Sequence, residues 1–192
     1  GIPSPEQRLR SHPHELSGGQ RQRIMIAIGL ACDPSLLIAD EPTTALDVTI
    51  QAQIVDLVKS LRARVGMSVI WITHDLALIA GLVDRVIVLY AGTIVEEAPV
   101  DALYASPQHP YTRGLLASIP RVEGNNGRRL TSIPGMPPPL NQRPPGCPFA
   151  PRCPAAMPVC RERVPRLKPV GDAGNLQRVA CFAVNPVSEL AA

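Results

Sequence analysis

Apolar side chains recur at Ile24, Ala27, Ile28 and Ala31, a spacing that predicts a helix over residues 17–31. Leu36-Leu37-Ile38-Ala39 follows as a short run apolar on both faces, and it stops at Asp40-Glu41-Pro42. A second helix is predicted over residues 50–65, with Ile50, Ile54, Leu57, Leu61 and Val65 on one face and Gly66 as its C-terminal stop. Ser68-Val69-Ile70-Trp71-Ile72-Thr73 is the next apolar run and ends at His74-Asp75. A short helix over 76–82 leads to a strand at Val86–Tyr90, and Ala91-Gly92 turns it into Thr93-Ile94-Val95 as a hairpin.

Runs apolar on both faces, separated by amphipathic helices, predict an α/β fold whose parallel sheet is covered on both sides. Ligands of such sheets sit at the carboxyl ends of the strands. Asp40-Glu41 and His74-Asp75 stand at those ends, so a phosphate site is expected there.

Composition divides the chain. Its 192 residues are 45% apolar but only 3% aromatic, enough for one aliphatic core with a small appendage. Residues 1–119 hold nine Lys/Arg against twelve Asp/Glu, whereas residues 120–192 hold ten against four. The second part also carries 14 of the 22 prolines and four of the five cysteines. Two bodies are expected, with a boundary near residue 119. A basic tail suits nucleic acid or anionic lipid, or an anionic group that it holds itself. No uncharged apolar run approaches the roughly 18–20 residues that cross a bilayer, and no signal-peptide pattern opens the chain. The expectation is a soluble or peripheral, cytoplasmic protein.

Leu16-Ser17-Gly18-Gly19-Gln20 opens the first helix. Ser17 and Gln20 have capping-box spacing, which leaves two helix-weakening glycines unexplained. Bare amides at a helix start bind anions, so Ser17, Gly18, Gly19 and Gln20 are candidate phosphate contacts. Asp40 can hold magnesium while Glu41 polarises a water, and Pro42 is expected to push Glu41 into an extended conformation. Asp47 and His74 alone read equally well as a helix cap and a turn residue.

Taken in order, LSGGQ, LLIADEP, TTALD and ITHD resemble the signature motif, Walker B strand, D-loop and switch histidine of ABC-type ATPases, over roughly residues 12–100. The resemblance implies a RecA-like ATPase domain. Ser17, Gly18 and Gly19 would contact the γ-phosphate of ATP bound mainly to a partner subunit, with Asp40 serving Mg2+ and Glu41 as general base. Asp47 would link the two sites across the dimer, and His74 would hold the γ-phosphate and attacking water. The chain has no G-x-x-x-x-G-K-[ST] phosphate loop and begins at Gly1 rather than Met. It reads as a C-terminal fragment, expected to hydrolyse no ATP alone. Residues 1–15 read as a remnant of the helical subdomain, 16–118 as the C-terminal part of the ATPase domain, and 119–192 as a small irregular Cys/Pro-rich domain.

Three further segments resemble ATP-binding subunits of oligopeptide and dipeptide ABC transporters: His109-Pro110-Tyr111-Thr112-Arg113-Gly114-Leu115-Leu116, Ile133-Pro134-Gly135-Met136-Pro137-Pro138, and Gly146-Cys147-Pro148-Phe149-Ala150-Pro151-Arg152-Cys153-Pro154. That resemblance implies a second ATPase subunit (identical or homologous), transmembrane permease subunits and, indirectly, an extracytoplasmic peptide-binding protein. It implies a place on the cytoplasmic face of the bacterial inner membrane.

The tail cysteines Cys147, Cys153, Cys160 and Cys181 are spaced C-x5-C-x6-C-x20-C. Cytosolic disulfides are disfavoured, and zinc sites more often use C-x2–4-C pairs. The wider spacing fits an iron–sulfur cluster, and the resemblance implies a [4Fe–4S] cluster; zinc and free thiols stay open. Arg152, Arg161 and Arg163 are expected to offset the charge of the cluster. Cys32 is expected to be a buried small hydrophobe, and His12, His14 and His109 are given no chemistry. With two phenylalanines, Phe149 and Phe182, the tail is poor in base-stacking surface, so no nucleic-acid partner is expected. The rivals are a nucleic-acid-associated ABC ATPase and a catalytically dead remnant.

Overall fold

The computed structural model describes residues 2–119, 132–139, 141–142, 144–171 and 176–186. The chain divides into two compact units, residues 1–82 and 83–192. Part of the tail's positive charge, Arg121, Arg128 and Arg129, lies outside the described residues.

The first unit is mixed α/β. Its elements are α1 (Pro5–Arg8), α2 (Gly18–Leu30), β1 (Leu36–Asp40), α3 (Val48–Val65), β2 (Ser68–Ile72) and α4 (Leu76–Ile79). β1 and β2 pair in parallel, from Leu36 opposite Ser68 to Asp40 opposite Ile72. α3 is bounded as its sequence demands. Asp47 caps its start by accepting the Ile50 N–H at 2.9 Å, and Gly66 ends it with φ 72°, a left-handed geometry that glycine adopts without a Cβ penalty. Ile26 of α2 with Ile54 and Val58 of α3 form the core, and Leu30, Leu46, Ile50, Leu57, Leu61, Val69 and Trp71 pack round it.

The structure corrects three expectations in this unit. The inward stripe of α2 runs through Gly19, Ile26 and Leu30, while Ile28 is 65% exposed. The sheet is also covered on one face only among the described residues. Val69 and Trp71 face the core and Leu37 touches Gly29, but Leu36, Ile38, Ile70 and Ile72 on the opposite face are all exposed. Cys32 stands beyond the end of α2 and is exposed. It is not the buried hydrophobe expected.

The second unit is built on an antiparallel sheet. β3 (Arg85–Tyr90) and β4 (Thr93–Pro99) form the expected hairpin. Its two turn residues, Ala91 and Gly92, both have positive φ, 46° and 73°, the signature of the tight turn whose twist matches the strands. Helices α5 (Val100–Ala105), α6 (Pro110–Ala117) and α7 (Pro158–Glu162) follow, then β5 (Lys168–Pro169) and β6 (Arg178–Val179), giving the order β3-β4-β6-β5. Among the described residues of 134–151 the backbone makes one helical turn, the 3-10 turn starting at Ala150, as the proline density requires. No helix among the described residues is long and apolar enough to cross a membrane.

Candidate functional site

Both strands of the parallel pair end in the polar residues that the sequence singles out. Asp40 closes β1 and is exposed. The next residue, Glu41, continues the ladder by donating its N–H to Ile72 O at 2.9 Å, yet its φ is 43°. Pro42 therefore does not hold Glu41 extended. Glu41 sits in the left-handed region, a strained state that persists only where its surroundings over-determine it. Those surroundings are visible: the ladder bond, the Thr44 N–H on Glu41 O at 3.1 Å, and two side-chain bonds. Thr44 Oγ1 donates to Glu41 Oε2 at 2.8 Å, and His74 Nδ1 lies 2.9 Å from Glu41 Oε1. Thr44 is the site residue that sequence reasoning missed. Its distance from Glu41, three residues across a Pro-led turn, was the available signal.

These bonds set the electrostatics. The His74 hydrogen bond, then that of Thr44, holds the Glu41 carboxyl below its usual range. The same bond to Glu41 raises His74. An ionised carboxylate only accepts, so Nδ1 carries the proton and Nε2 points away as the group free to meet a ligand. A shallow pocket of about 140 Å³ adjoins this pair, lined by Thr43, Thr44, Gln51, Thr73, His74 and Asp75.

At the start of α2 the capping box is real. Gln20 N–H donates to Ser17 Oγ at 3.3 Å and Ser17 N–H to Gln20 Oε1 at 3.0 Å. With those groups satisfied, the Gly18 and Gly19 N–H groups are the first-turn donors left without a bond among the described residues. The glycines also have a packing role that local sequence does not announce. A Cβ on Gly18 would lie 3.2 Å from Leu46 Cδ2, and one on Gly19 would lie 2.8 Å from Ile50 Cγ2. Gly18 and Gly19 thus rest on the segment whose Asp47 caps α3.

In the second unit the four tail cysteines are drawn into one neighbourhood. Cys147 N–H donates to Cys160 O at 2.7 Å, and Cys147, Cys160 and Cys181 are each 8% exposed. Gly146 makes this approach possible, since a Cβ there would lie 2.3 Å from Cys160 O. Burial pushes the Cys147 and Cys153 thiols up, and the charges of Cys160 and Cys181 add to that effect. Among the described residues no three His, Cys, Asp or Glu side chains could hold a metal ion.

Arg152 has a bracing role that the sequence does not announce. It donates to Pro134 O at 2.8 Å and Ile133 O at 2.9 Å, fastening the Ile133-Pro134-Gly135 segment to the cysteine motif. Phe149 is 1% exposed and packs against Tyr90, Tyr111 and His109, so it offers no stacking platform. His109, given no chemistry from sequence, is also buried and caps α6 through Nδ1. Its N–H and that of Gln108 donate to the buried Glu96 carboxylate, each at 2.8 Å.

A family model described as ABC transporter matches residues 2–44, and one described as oligopeptide/dipeptide transporter, C-terminal region, matches residues 95–160. The chain is 53% identical over 189 residues to a probable peptide ABC transporter ATP-binding protein of Sinorhizobium fredii, covering 98% of this chain and 56% of that protein. It is 57% identical over 160 residues to a dipeptide transport ATP-binding protein of Bacillus subtilis, covering 83% and 48%. It is 52% identical over 188 residues to an oligopeptide transport ATP-binding protein of Mycobacterium tuberculosis, covering 98% and 30%. The chain thus spans about half, or less, of the curated relatives it matches.

Proposed function

We infer that this chain, which belongs to the family of ATP-binding proteins of oligopeptide and dipeptide ABC transporters, supplies the hydrolytic and signature surfaces of an ATPase that drives peptide import. The observation that carries the reading is the Glu41–His74 contact at 2.9 Å, at the tips of two parallel strands. ATP is the substrate. The Gly18 and Gly19 N–H groups donate to its γ-phosphate, with Ser17 and Gln20 holding the turn that presents them. Water attacks the γ-phosphorus, the bond to the ADP oxygen breaks, and Glu41 takes the proton of the water. His74 holds Glu41 through Nδ1 and meets the phosphate and water through Nε2. Asp47, with one oxygen spent on capping, keeps its second oxygen for the partner subunit. Asp40, exposed at the end of β1, is the carboxylate that would hold Mg2+, which supplies charge neutralisation on the phosphates when bound.

ATP binds between two such subunits, identical or homologous, and their closure and reopening moves the permease subunits they contact. A peptide-binding protein delivers the cargo to those permeases. The assembly places this chain at the cytoplasmic face of the bacterial inner membrane. The 192 residues alone turn over no ATP, because they contain no lysine-bearing phosphate loop. In the assembled transporter, His74→Ala lowers kcat at saturating ATP by on the order of 10²-fold. An unchanged kcat removes the reading.

Cys147, Cys153, Cys160 and Cys181 are the residues that would hold a [4Fe–4S] cluster as its thiolate donors. Such a group, when bound, supplies a rigid cross-link and a one-electron redox centre. The support is the all-cysteine donor set and its spacing, C-x5-C-x6-C-x20-C. Anaerobically purified protein should be brown and contain iron and acid-labile sulfide. Colourless protein with one stoichiometric zinc rejects the cluster.

A further inference from the structure

We propose that Ile50 and Leu46 are positioning residues for the phosphate-binding turn: Gly18 and Gly19 are glycines because those two side chains fill the space a Cβ would take. The proposal rests on the nucleotide reading of that turn and deepens it. An anion-binding role requires only that amides be reachable, and it places no demand on what lies behind the helix start. The structure shows such a demand. Gly19 is buried, and its missing Cβ would sit 2.8 Å from Ile50 Cγ2, inside any normal carbon–carbon contact. The corresponding distance from Gly18 to Leu46 Cδ2 is 3.2 Å, tight but less severe.

The contact has a consequence for the chemistry. Ile50 donates its own N–H to Asp47 Oδ1, and Leu46 precedes Asp47 in the chain. The glycine turn is therefore seated on the segment carrying Asp47 through the Leu46 and Ile50 side chains, with no side chain of its own between. Below this seat, Arg23 reaches Gln53 at 2.6 Å, and Ile26 meets Ile54 and Val58, so the same stripe continues down α2 and α3. A displacement of the Asp47 loop is transmitted to the Gly18 and Gly19 amides. The group that senses the partner subunit and the group that grips the phosphate then move as one piece.

The test is a double-mutant cycle read at saturating ATP in the assembled transporter, per nucleotide-binding subunit. Gly19→Ala lowers kcat by roughly tenfold or more, because the new methyl has to displace Ile50. Gly19→Ala combined with Ile50→Ala, which removes Cγ2, recovers kcat to within about threefold of Ile50→Ala alone. Gly18→Ala gives the smaller loss and is relieved by Leu46→Ala. If the double variant stays as slow as Gly19→Ala, the glycine serves phosphate access only and the proposal fails. The same four proteins, as 192-residue chains, give an unfolding cycle that needs no nucleotide. Recovery of the midpoint by Ile50→Ala supports the seat, and a double variant no more stable than Gly19→Ala contradicts it. A wild-type transporter without ATPase activity sinks the functional reading, while the unfolding cycle still decides the contact.

Discussion

In residues 1–82 the groups able to do chemistry stand in water, whereas in residues 83–192 comparable groups are sealed. The side chain of His74 is 78% exposed and that of Glu41 is 44% exposed. Glu96 and His109 are 0% and 1% exposed. Each unit holds a carboxylate bonded to a histidine, through the ring in Glu41–His74 and through the backbone N–H in Glu96–His109, and burial separates the two. The open pair can meet a ligand and exchange protons with it. The sealed carboxylate, fixed by Gln108 N–H, His109 N–H and Gln177 Nε2, is a structural joint. It ties β4 to the segment before α6 and to the residue before β6, and each donor it satisfies would be costly to bury alone.

The sharpest way to break this contrast is to attack the sealed unit where nothing can yield. Gly146→Ala places a methyl against the Cys160 carbonyl and the Arg161 backbone. The expected cost is about 4 kcal/mol, seen as lost cooperative melting of the tail, with the His74 proton resonances unmoved. Glu96→Ala comes next. Three donors lose their acceptor, and a loss of about 3 kcal/mol follows in urea titration; a loss below about 1 kcal/mol would mean water replaces the carboxylate.

Acidification gives the third test. Burial holds His109 down at about 4, against an ordinary 6.5. The unfolded chain therefore binds the proton more readily between those values. Stability is complete above pH 6.5, falls with pH, and by about pH 4 has lost at most about 3 kcal/mol from this group. His109→Gln should flatten that part of the stability-versus-pH curve. The smallest effect belongs to the open pair. The contribution of His74, whose value is raised, is present below 6.5 and lost as pH rises through its folded value. That of Glu41, whose value is lowered, is present above 4.5 and lost as pH falls. Titration of His74 by NMR should return to its ordinary range in Glu41→Gln, with little change in stability.

How much of this was legible follows the same divide. The helix spacing of Ile50, Ile54, Leu57 and Leu61, the Gly66 stop and the Ala91-Gly92 hairpin are local signals, and the structure has them. The strand tips were legible as well, because a polar pair that ends an apolar run marks where the chain leaves the sheet. Illegible were features created by meeting at a distance. Gly19 meets Ile50 across 31 positions, and Glu96 meets Gln177 across 81. The left-handed Glu41 was misread because local sterics before proline were outweighed by three bonds to its own backbone and carboxylate and a fourth through its N–H. His109, given no chemistry from sequence, caps α6, and its ring packs against Phe149, forty positions on.

The central claim is that Glu41 removes the proton from the water that cleaves ATP. Rapid-quench measurement of phosphate formed in a single turnover by the assembled Glu41→Gln transporter tests it most directly. The expected result is ATP bound as in the wild type, with phosphate formation slowed by about 10²–10⁴-fold. Phosphate formed at the wild-type rate would contradict it.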